Sequence, residues 1–518
     1  MFRKGLQFQD YSKALQFHEK TKHSYISVRT DFHRLDWANK PHPFKIYEGL
    51  PTIPLPKDIP KPGLDALRCL YEVSRARDGC LDMHALASLL YFTGGITRVF
   101  RFPDGAHYFR AAPATGALYP TELYVVAGDV NGLPEGVYHF SPYSFKLTVL
   151  RAGDLRDFLA KYSDEDVGKF QASLVFTSIG WRNAWKYRER SYRHWFWDSG
   201  VMVANLLAVC AAFRLDTRVV SGFVDNEVNR LLAVDGVKEA AIIVVPLGRS
   251  HKKPVEAVDV ANLAPSVKPI SKREHTYSLV EEIHRASCIN SVEELQRWKQ
   301  AAISAPSSAE RAEETVAIKP VEQAGAQLWQ VILRRGSTRR FNRQPITFTQ
   351  LSTILKAASS TFAADFTNPL TNIYLIVNAV DGLRPGAYYF DGVGLKLLKA
   401  GEFRSVSGYL CLEQELGSDA AAVLFIMTPL EKVLQRLGNR GYRVVQLEGG
   451  IRAGLAYLAA YAVGAGATGL TFYDDDVREF FSPHAGDKEN VIVVAVGNPA
   501  YKAKPGRMML GVEETGND

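Results

Sequence analysis

The chain repeats itself at an offset of 250 residues, and this repeat restricts its fold more than any other feature. The segment TELYVVAGDVNGLPEGVYHFSPYSFKL, from Thr121, aligns without a gap with TNIYLIVNAVDGLRPGAYYFDGVGLKL, from Thr371. Identical pairs include Thr121/Thr371, Tyr124/Tyr374, Gly132/Gly382, Leu133/Leu383, Gly136/Gly386, Tyr138/Tyr388, Phe140/Phe390 and Lys146/Lys396. Collinear identities at one fixed offset are the mark of a duplicated structural unit. The sequence therefore predicts two copies of one domain.

The repeat continues downstream of these segments. The same offset pairs Arg190, Tyr192, Arg193 and Gly200 with Arg440, Tyr442, Arg443 and Gly450, and a one-residue slip pairs Phe223, Asp225 and Gly248 with Phe472, Asp474 and Gly497. Each copy has the pattern strand, glycine turn, strand, third strand, long apolar helix and final strand. This order predicts an α+β fold, a central mixed or antiparallel sheet flanked by helices. Two tandem copies predict an intrachain pseudo-dimer.

Four regions follow from this pattern. We expect an N-terminal arm over residues 1–60, a first domain over 61–250, a connector over 251–320 and a second domain over 321–518. The length supports two domains, because single cores seldom exceed about 300 residues. Within the connector, YSLVEEIHRASCINSVEELQRWKQA predicts one helix and SAPSSAERAEET predicts an exposed hinge.

Composition excludes several classes of protein. Five scattered cysteines, without a CxxC pair, argue against a disulfide framework and against a bound metal. The N-terminus lacks the apolar core of a signal peptide, and the apolar segments near 199–213 and 451–465 are shorter than the ~20 residues of a membrane span. A net charge of +7 suits an anionic ligand without requiring nucleic acid. We expect a cytoplasmic protein with no membrane or nucleic-acid partner.

Two short segments favour a ligand with a phosphate and a planar ring. LRRGSTRRF, Leu333 to Phe341, clusters guanidiniums and hydroxyls that can hold a phosphate, although a solvated turn is the alternative. RAAPATGALYP, from Arg110, contains a loop of small residues that lets backbone amides approach a planar ligand, although an ordinary turn fits as well. In the other copy Asp365 and Phe366 replace Thr115 and Gly116, which predicts a crowded, negatively charged loop.

Two further segments carry weaker signals. WRNAWKYRERSYRHWFW, Trp181 to Trp197, interleaves basic and aromatic residues, as a nucleic-acid platform does, but a packed helix entry is the simpler alternative. The turns VVSGFVD (219–225) and ATGLTFYDDD (467–476) each follow a long apolar helix. Their backbone amides can donate to a ring nitrogen, or Gly469 can be a helix C-cap.

These segments together resemble the nitroreductase superfamily, and more narrowly its SagB-type, ThcOx-like dehydrogenase branch. The combination of the arm FHEKTKHSYISVRTDFHRLDW, the motif PATGALYP and the motif KYRERSYR carries the resemblance. In that superfamily FMN lies at the dimer interface and contacts both subunits. The resemblance therefore implies one complete FMN site per chain and one degraded, pseudo-equivalent site.

The resemblance also implies which residues form that site. From the first copy it implies a cofactor loop and a catalytic Lys-Tyr pair: Pro113, Ala114, Thr115 and Gly116, with Lys186 and Tyr187. From the second copy it implies a phosphate clamp, a turn near the flavin ring and basic residues after the last strand: Arg334, Arg335, Ser337 and Arg339; Gly469, Leu470 and Thr471; Lys502 and Lys504. Ala114 and Gly336 depart from the family pattern.

Three functions are compatible with this site. The first is an FMN-dependent oxidoreductase of nitroreductase type, with ping-pong electron transfer from NAD(P)H or an organic donor to an unidentified acceptor. The second is a SagB-type dehydrogenase acting on azolines or peptide backbone in a biosynthetic pathway. The third is a flavin-carrying binding protein with little turnover. The segment GAGATG, residues 464–469, follows a long apolar helix and not a strand, so it is not a Rossmann-type GxGxxG motif, and any nicotinamide must share the flavin pocket.

Overall fold

The computed structural model describes residues 10–73, 78–102, 105–256, 259–304 and 314–512. Most of the predicted hinge at SAPSSAERAEET, residues 304–315, lies outside these ranges. In the first half, the helices and strands are α1 Ser12–Lys20, α2 Tyr25–Arg29, β1 Thr52–Pro54, α3 Ala66–Tyr71, α4 Met83–Gly94, β2 Ile96–Phe102, β3 Gly105–Arg110, β4 Thr121–Ala127, β5 Gly136–Ser141, β6 Lys146–Ala152, α5 Arg156–Lys161, β7 Phe170–Ile179, α6 Gly180–Tyr187, α7 Ser191–Ala212, α8 Asp225–Leu232 and β8 Glu239–Arg249.

The connector contributes α9 Ser278–Ala286 and α10 Val292–Ser304. In the second half, the elements are β9 Val316–Ala317, α11 Leu328–Arg334, β10 Ile346–Thr347, α12 Phe348–Ala358, β11 Asn372–Val377, β12 Val380–Asp381, β13 Gly386–Phe390, β14 Gly394–Ala400, α13 Arg404–Leu410, α14 Glu415–Asp419, β15 Ala422–Thr428, α15 Leu430–Leu437, α16 Arg440–Ala462, β16 Gly466–Leu470, α17 Asp474–Phe481 and β17 Glu489–Gly497.

Each half forms one main sheet and one separate two-stranded sheet, β2-β3 in the first half and β10-β12 in the second, and the main sheets have the same strand order except that the second has an extra edge strand, β16. The first is β1-β6-β5-β4-β7-β8, and the second is β16-β17-β15-β11-β13-β14-β9. All strand pairs within both main sheets are antiparallel, which confirms the antiparallel form of the predicted fold. The predicted strands of each copy are all present, and the main sheets contain additional strands: β6 and β14, and the edge strands β1, β9 and β16. Strands β4 and β7 are buried along their whole length, which explains their nearly continuous apolar sequences.

The long helices α7 and α16 cross at the centre of the molecule, where the two halves meet. Gly200 and Gly450, which the repeat aligns, lie at this crossing. A Cβ added to Gly200 would lie 2.5 Å from the Leu447 carbonyl oxygen, and one added to Gly450 would lie 2.6 Å from the Trp197 carbonyl oxygen. Only glycine allows the two backbones to approach this closely. The crossing makes the two halves an intrachain pseudo-dimer.

The arm and the connector extend the repeat. Helix α1 of the arm lies against α7, where the Arg193 Nη2 donates to the His18 carbonyl oxygen at 3.0 Å. Helix α9 of the connector lies against α16 in the same way, where the Arg443 Nη2 donates to the His284 carbonyl oxygen at 2.8 Å. Both regions also add an edge strand to a sheet, β1 in the arm and β9 in the connector. The duplicated unit therefore includes its leading helix.

The prediction of a single connector helix is wrong, because the chain breaks between α9 and α10. At this break the Ile289 N–H donates to Asp225 Oδ2 at 2.8 Å. The Ser291 hydroxyl accepts from the Glu294 N–H at 3.2 Å, which starts α10. The first of these hydrogen bonds is charge-assisted, because its acceptor is a buried carboxylate, and it stabilises the non-helical link.

The helical stretch Gly180–Ala212 is longer than the apolar segment near 199–213 suggested. By length and composition alone it is the one stretch in the described ranges that could cross a bilayer. Within this fold, however, 94% of its most apolar window is buried. Its apolar character is therefore accounted for by contacts with the first sheet and with α16.

Candidate active site

A cavity of about 850 Å³, here named the interdomain cavity, lies between the two halves beneath the arm. The first domain, the second domain and the arm all contribute to its wall. Its lining includes most of the predicted site residues: Pro113, Ala114, Thr115, Gly116, Lys186, Tyr187, Ser337, Arg339, Gly469, Leu470 and Thr471. Segments far apart in sequence, from both copies, thus meet in one place.

The small-residue loop is held from below by Asp198 on α7. Both the Thr115 N–H and its hydroxyl donate to Asp198 Oδ1 at 2.8 Å. Burial raises the pKa of Asp198 to about 6, and the hydrogen bonds from Thr115 and Asn183 only partly offset this effect. Gly116 has a φ of 61°, which a glycine adopts without strain. The loop is therefore a fixed wall of the cavity.

The predicted catalytic pair lies at the end of α6, beside this loop. Lys186 is exposed, and its Nζ lies 5.2 Å from the centre of the Tyr187 ring. The Tyr187 hydroxyl faces Gly116, where an added Cβ would lie 2.7 Å from it. Burial raises the pKa of Tyr187 to about 12, so its phenol is protonated at neutral pH. Tyr187 can therefore donate a hydrogen bond into the cavity.

The second domain supplies the opposite wall. Gly469 belongs to β16 and is not a helix C-cap, because α16 already ends at Ala462. The Gly469 N–H donates to the phenol oxygen of Tyr457, which also lines the cavity. Arg339 is exposed on this wall, and its guanidinium makes no ion pair within the described ranges. Together with Ser337, it offers a cation and a hydroxyl to a ligand.

Four predicted cofactor-binding residues do not line the cavity: Arg334, Arg335, Lys502 and Lys504. Arg335 is buried, and its Nε and Nη2 donate to the carbonyl oxygens of Ala111 and Arg110 at 3.0 and 3.1 Å. It therefore ties the second domain to the loop of the first. Arg334 donates to the Tyr461 carbonyl oxygen at 2.7 Å, and the two lysines are exposed.

A group of buried charges at the back of the cavity was not predicted from the sequence. Arg190 and Arg193 form ion pairs with the fully buried Asp474, at 2.9 and 2.7 Å. The Arg190 Nε and Nη2 and the His194 Nδ1 are buried without a hydrogen-bond partner in the described part of the chain. Arg190 and His194 line the cavity. The aligned pairs Arg190/Arg440 and Asp474/Asp225 were the available signal, because repeated opposite charges in apolar surroundings indicate a buried ion pair.

The pseudo-equivalent position is filled by the chain itself. Asp365, which aligns with Thr115, accepts hydrogen bonds from the Ser221 N–H at 2.9 Å and from the Gly222 N–H at 2.7 Å. These two amides correspond to those of Leu470 and Thr471. The indole of Trp298, from α10, lies so close to Gly222 that an added Cβ would be 2.5 Å from its Cζ3. A carboxylate and an indole thus occupy the place that the interdomain cavity leaves open in the other half.

One group of side chains in the described ranges could offer ligand atoms to a metal: His18, Glu19 and Glu489. The ammonium of Lys22 already forms ion pairs with Glu19 at 2.7 Å and with Glu489 at 3.3 Å. The Lys22 ammonium therefore already supplies a positive charge to these carboxylates, without a metal ion.

The family model for nitroreductases matches residues 81–249 and 332–498, one match in each half. These two matches cover more than half of the chain, so the protein belongs to the nitroreductase family. The prediction of two tandem nitroreductase-like domains is confirmed. A nitroreductase-type crystal structure from Anabaena variabilis has a TM-score of 0.75 and 25% identity, covering 95% of this chain and 100% of that one.

Three related proteins indicate more narrowly which branch of the family this chain resembles. The microcin B17-processing protein McbC of Escherichia coli is 29% identical over 29% of this chain and 57% of its own length. The trifolitoxin-processing protein TfxB of Rhizobium leguminosarum is 26% identical over 38% of this chain and 48% of its own. A nitroreductase-type protein of Methanocaldococcus jannaschii is 26% identical over 33% of this chain and 81% of its own. The similarity to McbC and TfxB supports the SagB-type branch.

Proposed function

We propose that the chain is an FMN-dependent oxidoreductase with one composite flavin site, in the interdomain cavity. The observation that carries the proposal is the meeting of the two half-sites. The loop Pro113–Gly116 and the pair Lys186–Tyr187 come from one copy, and Ser337, Arg339 and the turn 469–471 come from the other. The pseudo-equivalent position is filled by Asp365 and Trp298, which supports one flavin per chain.

The chemistry of the cavity fits an anionic, planar cofactor. Its volume of about 850 Å³ lies in the range of cofactor sites. Arg339 and Ser337 would hold a phosphate, because a guanidinium and a hydroxyl match its oxygens. Small residues at Gly116 and Gly469 leave room for a flat ring beside the backbone.

When bound, FMN supplies the redox chemistry, and the protein supplies position and charge. Tyr187 stays protonated at neutral pH and would donate a hydrogen bond to substrate. Lys186, exposed at the same cavity, would hold or accept a proton beside it. The arm covers the cavity with residues from Lys20 to Asp31 and would restrict water access. Ping-pong turnover with NAD(P)H or an organic donor is part of the proposal, because the two substrates would share one cavity.

The direct test is the flavin content of the purified chain. We expect a flavin absorption spectrum, one FMN per chain, and bleaching by NAD(P)H or an organic donor under anaerobic conditions. Arg339→Ala should weaken FMN binding by about tenfold, since it removes a charge-assisted contact. Arg384→Ala, an arginine remote from the cavity lining, is the control. A chain that binds no flavin, or two per chain, would contradict the proposal.

A second function, SagB-type dehydrogenation of an azoline or peptide backbone, is favoured by the relatives McbC and TfxB, which are named as peptide-processing proteins. The substrate would then be peptide-derived. Lys186→Ala and Tyr187→Phe should abolish such turnover while FMN stays bound. Arg436→Ala is the matched control, because Arg436 aligns with Lys186 but lies outside the cavity lining. Unchanged turnover in the Lys186 and Tyr187 variants would exclude their catalytic role.

A further inference from the structure

The corner between α6 and α7, at the mouth of the interdomain cavity, holds an arginine in a backbone conformation that favours glycine. Arg188 has a φ of 48° and a ψ of −132°. The repeat aligns it with Gly438, which has a φ of 61° and a ψ of −160° at the corner between α15 and α16. Both halves therefore need a positive φ at this corner. Glycine adopts it without strain, whereas the Cβ of an arginine is crowded by the backbone.

This strain indicates that the Arg188 side chain does something that the corner itself does not require. Residues in such conformations persist where the surrounding structure imposes them, and they cluster at binding and catalytic sites. Within the described part of the chain, Arg188 forms ion pairs with Asp31 of the arm at 3.0 Å and with its neighbour Glu189 at 3.5 Å. Both pairs are exposed to solvent, and exposed pairs contribute little to stability. The fold alone therefore does not account for an arginine at this position.

The charged groups at this mouth are open to a ligand. Lys186, Arg188 and Asp31 all line the interdomain cavity. The side chains of Arg188 and Asp31 are 40% and 47% exposed, so neither is sealed within the fold. A guanidinium carries five N–H donors, and the hydrogen bond that Arg188 makes within the described ranges, to Asp31, uses its Nη1. Lys186 is exposed and forms no ion pair in those ranges. Two cations at the end of α6 thus have donors available for a ligand.

Asp31 shows what chemical group fits Arg188. Its Oδ1 accepts from the Arg188 Nη1 at 3.0 Å and from the His33 N–H at 2.9 Å. A planar guanidinium matches the oxygens of a carboxylate, and the Arg188 Nη2 is left for a second carboxylate. A ligand carboxylate can therefore bind beside Asp31 or take its place. Because like charges repel, Asp31 competes with such a ligand and is not a part of its site.

We propose that Arg188, assisted by Lys186, binds the carboxylate of a small substrate at the mouth of the interdomain cavity. The proposal rests on the proposed function, because it takes the ligand of this cavity to be the substrate. It adds the class of that substrate, a small carboxylic acid whose other end reaches into the cavity. Arg188 is then a specificity-determining residue, and its contact with the substrate accounts for an arginine at a corner that a glycine would form without strain.

Binding of 4-fluorobenzoate to the full chain, followed by ¹⁹F NMR line broadening, tests the proposal. The matched neutral probe is 4-fluorobenzamide, which has nearly the same shape. The titration needs no electron transfer, and the flavin content of the same sample is measured separately, so a chain without FMN contradicts the proposed function without affecting this comparison. We expect the carboxylate to bind about tenfold tighter than the amide, as one charge-assisted hydrogen bond gives. Equal affinities of the two probes overturn the proposal.

Two variants have opposite expected effects. Arg188→Gly should remove the tenfold preference for the carboxylate, whereas Asp31→Asn should increase it about threefold, because a competing negative charge is gone. If Arg188 only held the arm through Asp31, both variants would change binding in the same direction, and that result overturns the proposal. Arg384→Gly removes an exposed positive charge outside the cavity lining, so it is the control for net charge and should leave the preference unchanged.

The stability of Arg188→Gly separates a binding role from a structural one. Its thermal unfolding midpoint should stay the same or rise, because relief of the strain offsets the greater freedom of glycine in the unfolded chain. Arg188→Lys keeps both the charge and the strain, so it should retain part of the preference for the carboxylate. A clear fall in the midpoint of Arg188→Gly would show that this side chain serves the fold, and it would overturn the proposal.

Discussion

Replacing Asp474 by asparagine tests the buried charges that join the arm, α7 and the second domain. Asp474 is fully buried and accepts from Arg190 at 2.9 Å, from Arg193 at 2.7 Å and from the His23 N–H at 2.8 Å. The variant removes one negative charge and leaves two buried guanidiniums without a counter-charge. Breaking a buried ion pair on one side costs about 3–5 kcal/mol. Because asparagine keeps one acceptor oxygen, we expect a loss of about 3 kcal/mol, roughly a hundredfold in the unfolding equilibrium.

The assay is urea unfolding at pH 7, followed by far-UV circular dichroism. The pseudo-equivalent Asp225→Asn is the matched control, because Asp225 pairs with Arg440 and Arg443 at 2.6 Å each. Both variants should lose a similar free energy of unfolding. Only Asp474→Asn should also weaken FMN binding, because its partner Arg190 lines the interdomain cavity. A loss below about 1 kcal/mol for Asp474→Asn would refute the argument from buried charge.

The pH dependence of this loss has a definite sign. The neighbouring guanidiniums hold the pKa of Asp474, and that of Asp225, below the usual range despite the opposing effect of burial. Their stabilising contribution is therefore present above the unfolded-state pKa of about 3.9 and is lost as the pH falls through the lower folded-state value. The difference in stability between wild type and Asp474→Asn should shrink in acid.

Three further changes should have separable effects. Gly116→Ala forces a side chain into positive φ and against the Tyr187 hydroxyl, so flavin affinity should fall at least tenfold, measured by fluorescence titration. Because burial raises the pKa of Asp198 to about 6, the folded state loses stability as the pH rises from the unfolded-state pKa of about 3.9 to about 6, and Asp198→Asn should remove this decline from a stability–pH profile. Trp298→Ala leaves a cavity behind Gly222 and should lower the free energy of unfolding by about 3–5 kcal/mol, without changing FMN content. An unchanged free energy of unfolding for Trp298→Ala would show that this indole is not tightly packed.

The order of strands and helices within each domain could be predicted from the sequence, because this order depends on local patterns. Alternating apolar strands and the long helices follow from periodicity within each copy. The alignment also pairs Gly200 with Gly450, and the structure shows that these two glycines lie where α7 and α16 cross. In the folded chain, pseudo-equivalent contacts are made by the aligned glycines, arginines and aspartates of the two copies. The connector does not form the single predicted helix, because the break between α9 and α10 is stabilised by Asp225, a residue far away in sequence.

The site was predictable only in part. The loop 113–116, the pair Lys186–Tyr187 and the turn 469–471 share one cavity, as the resemblance implied. The sequence motif alone could not distinguish Arg339, which lines the interdomain cavity, from the four predicted basic residues that do not. A run of arginines has the same pattern whether a guanidinium faces a cavity or, like Arg335, donates to backbone carbonyls of the other domain.

The internal repeat is sufficient to predict a duplicated α+β unit, with a loop of small residues in the first copy and with Asp365 and Phe366 at the corresponding positions of the second copy. The way in which the second half is closed depends on contacts that form only in the folded chain. In this half the carboxylate of Asp365 accepts hydrogen bonds from the backbone N–H groups of Ser221 and Gly222, and Trp298 from α10 fills the space beside Gly222. Such contacts join residues that are distant in sequence, so their geometry depends on how both halves and the connector pack. The offset of 250 residues thus encodes two equivalent halves, whereas packing makes them unequal.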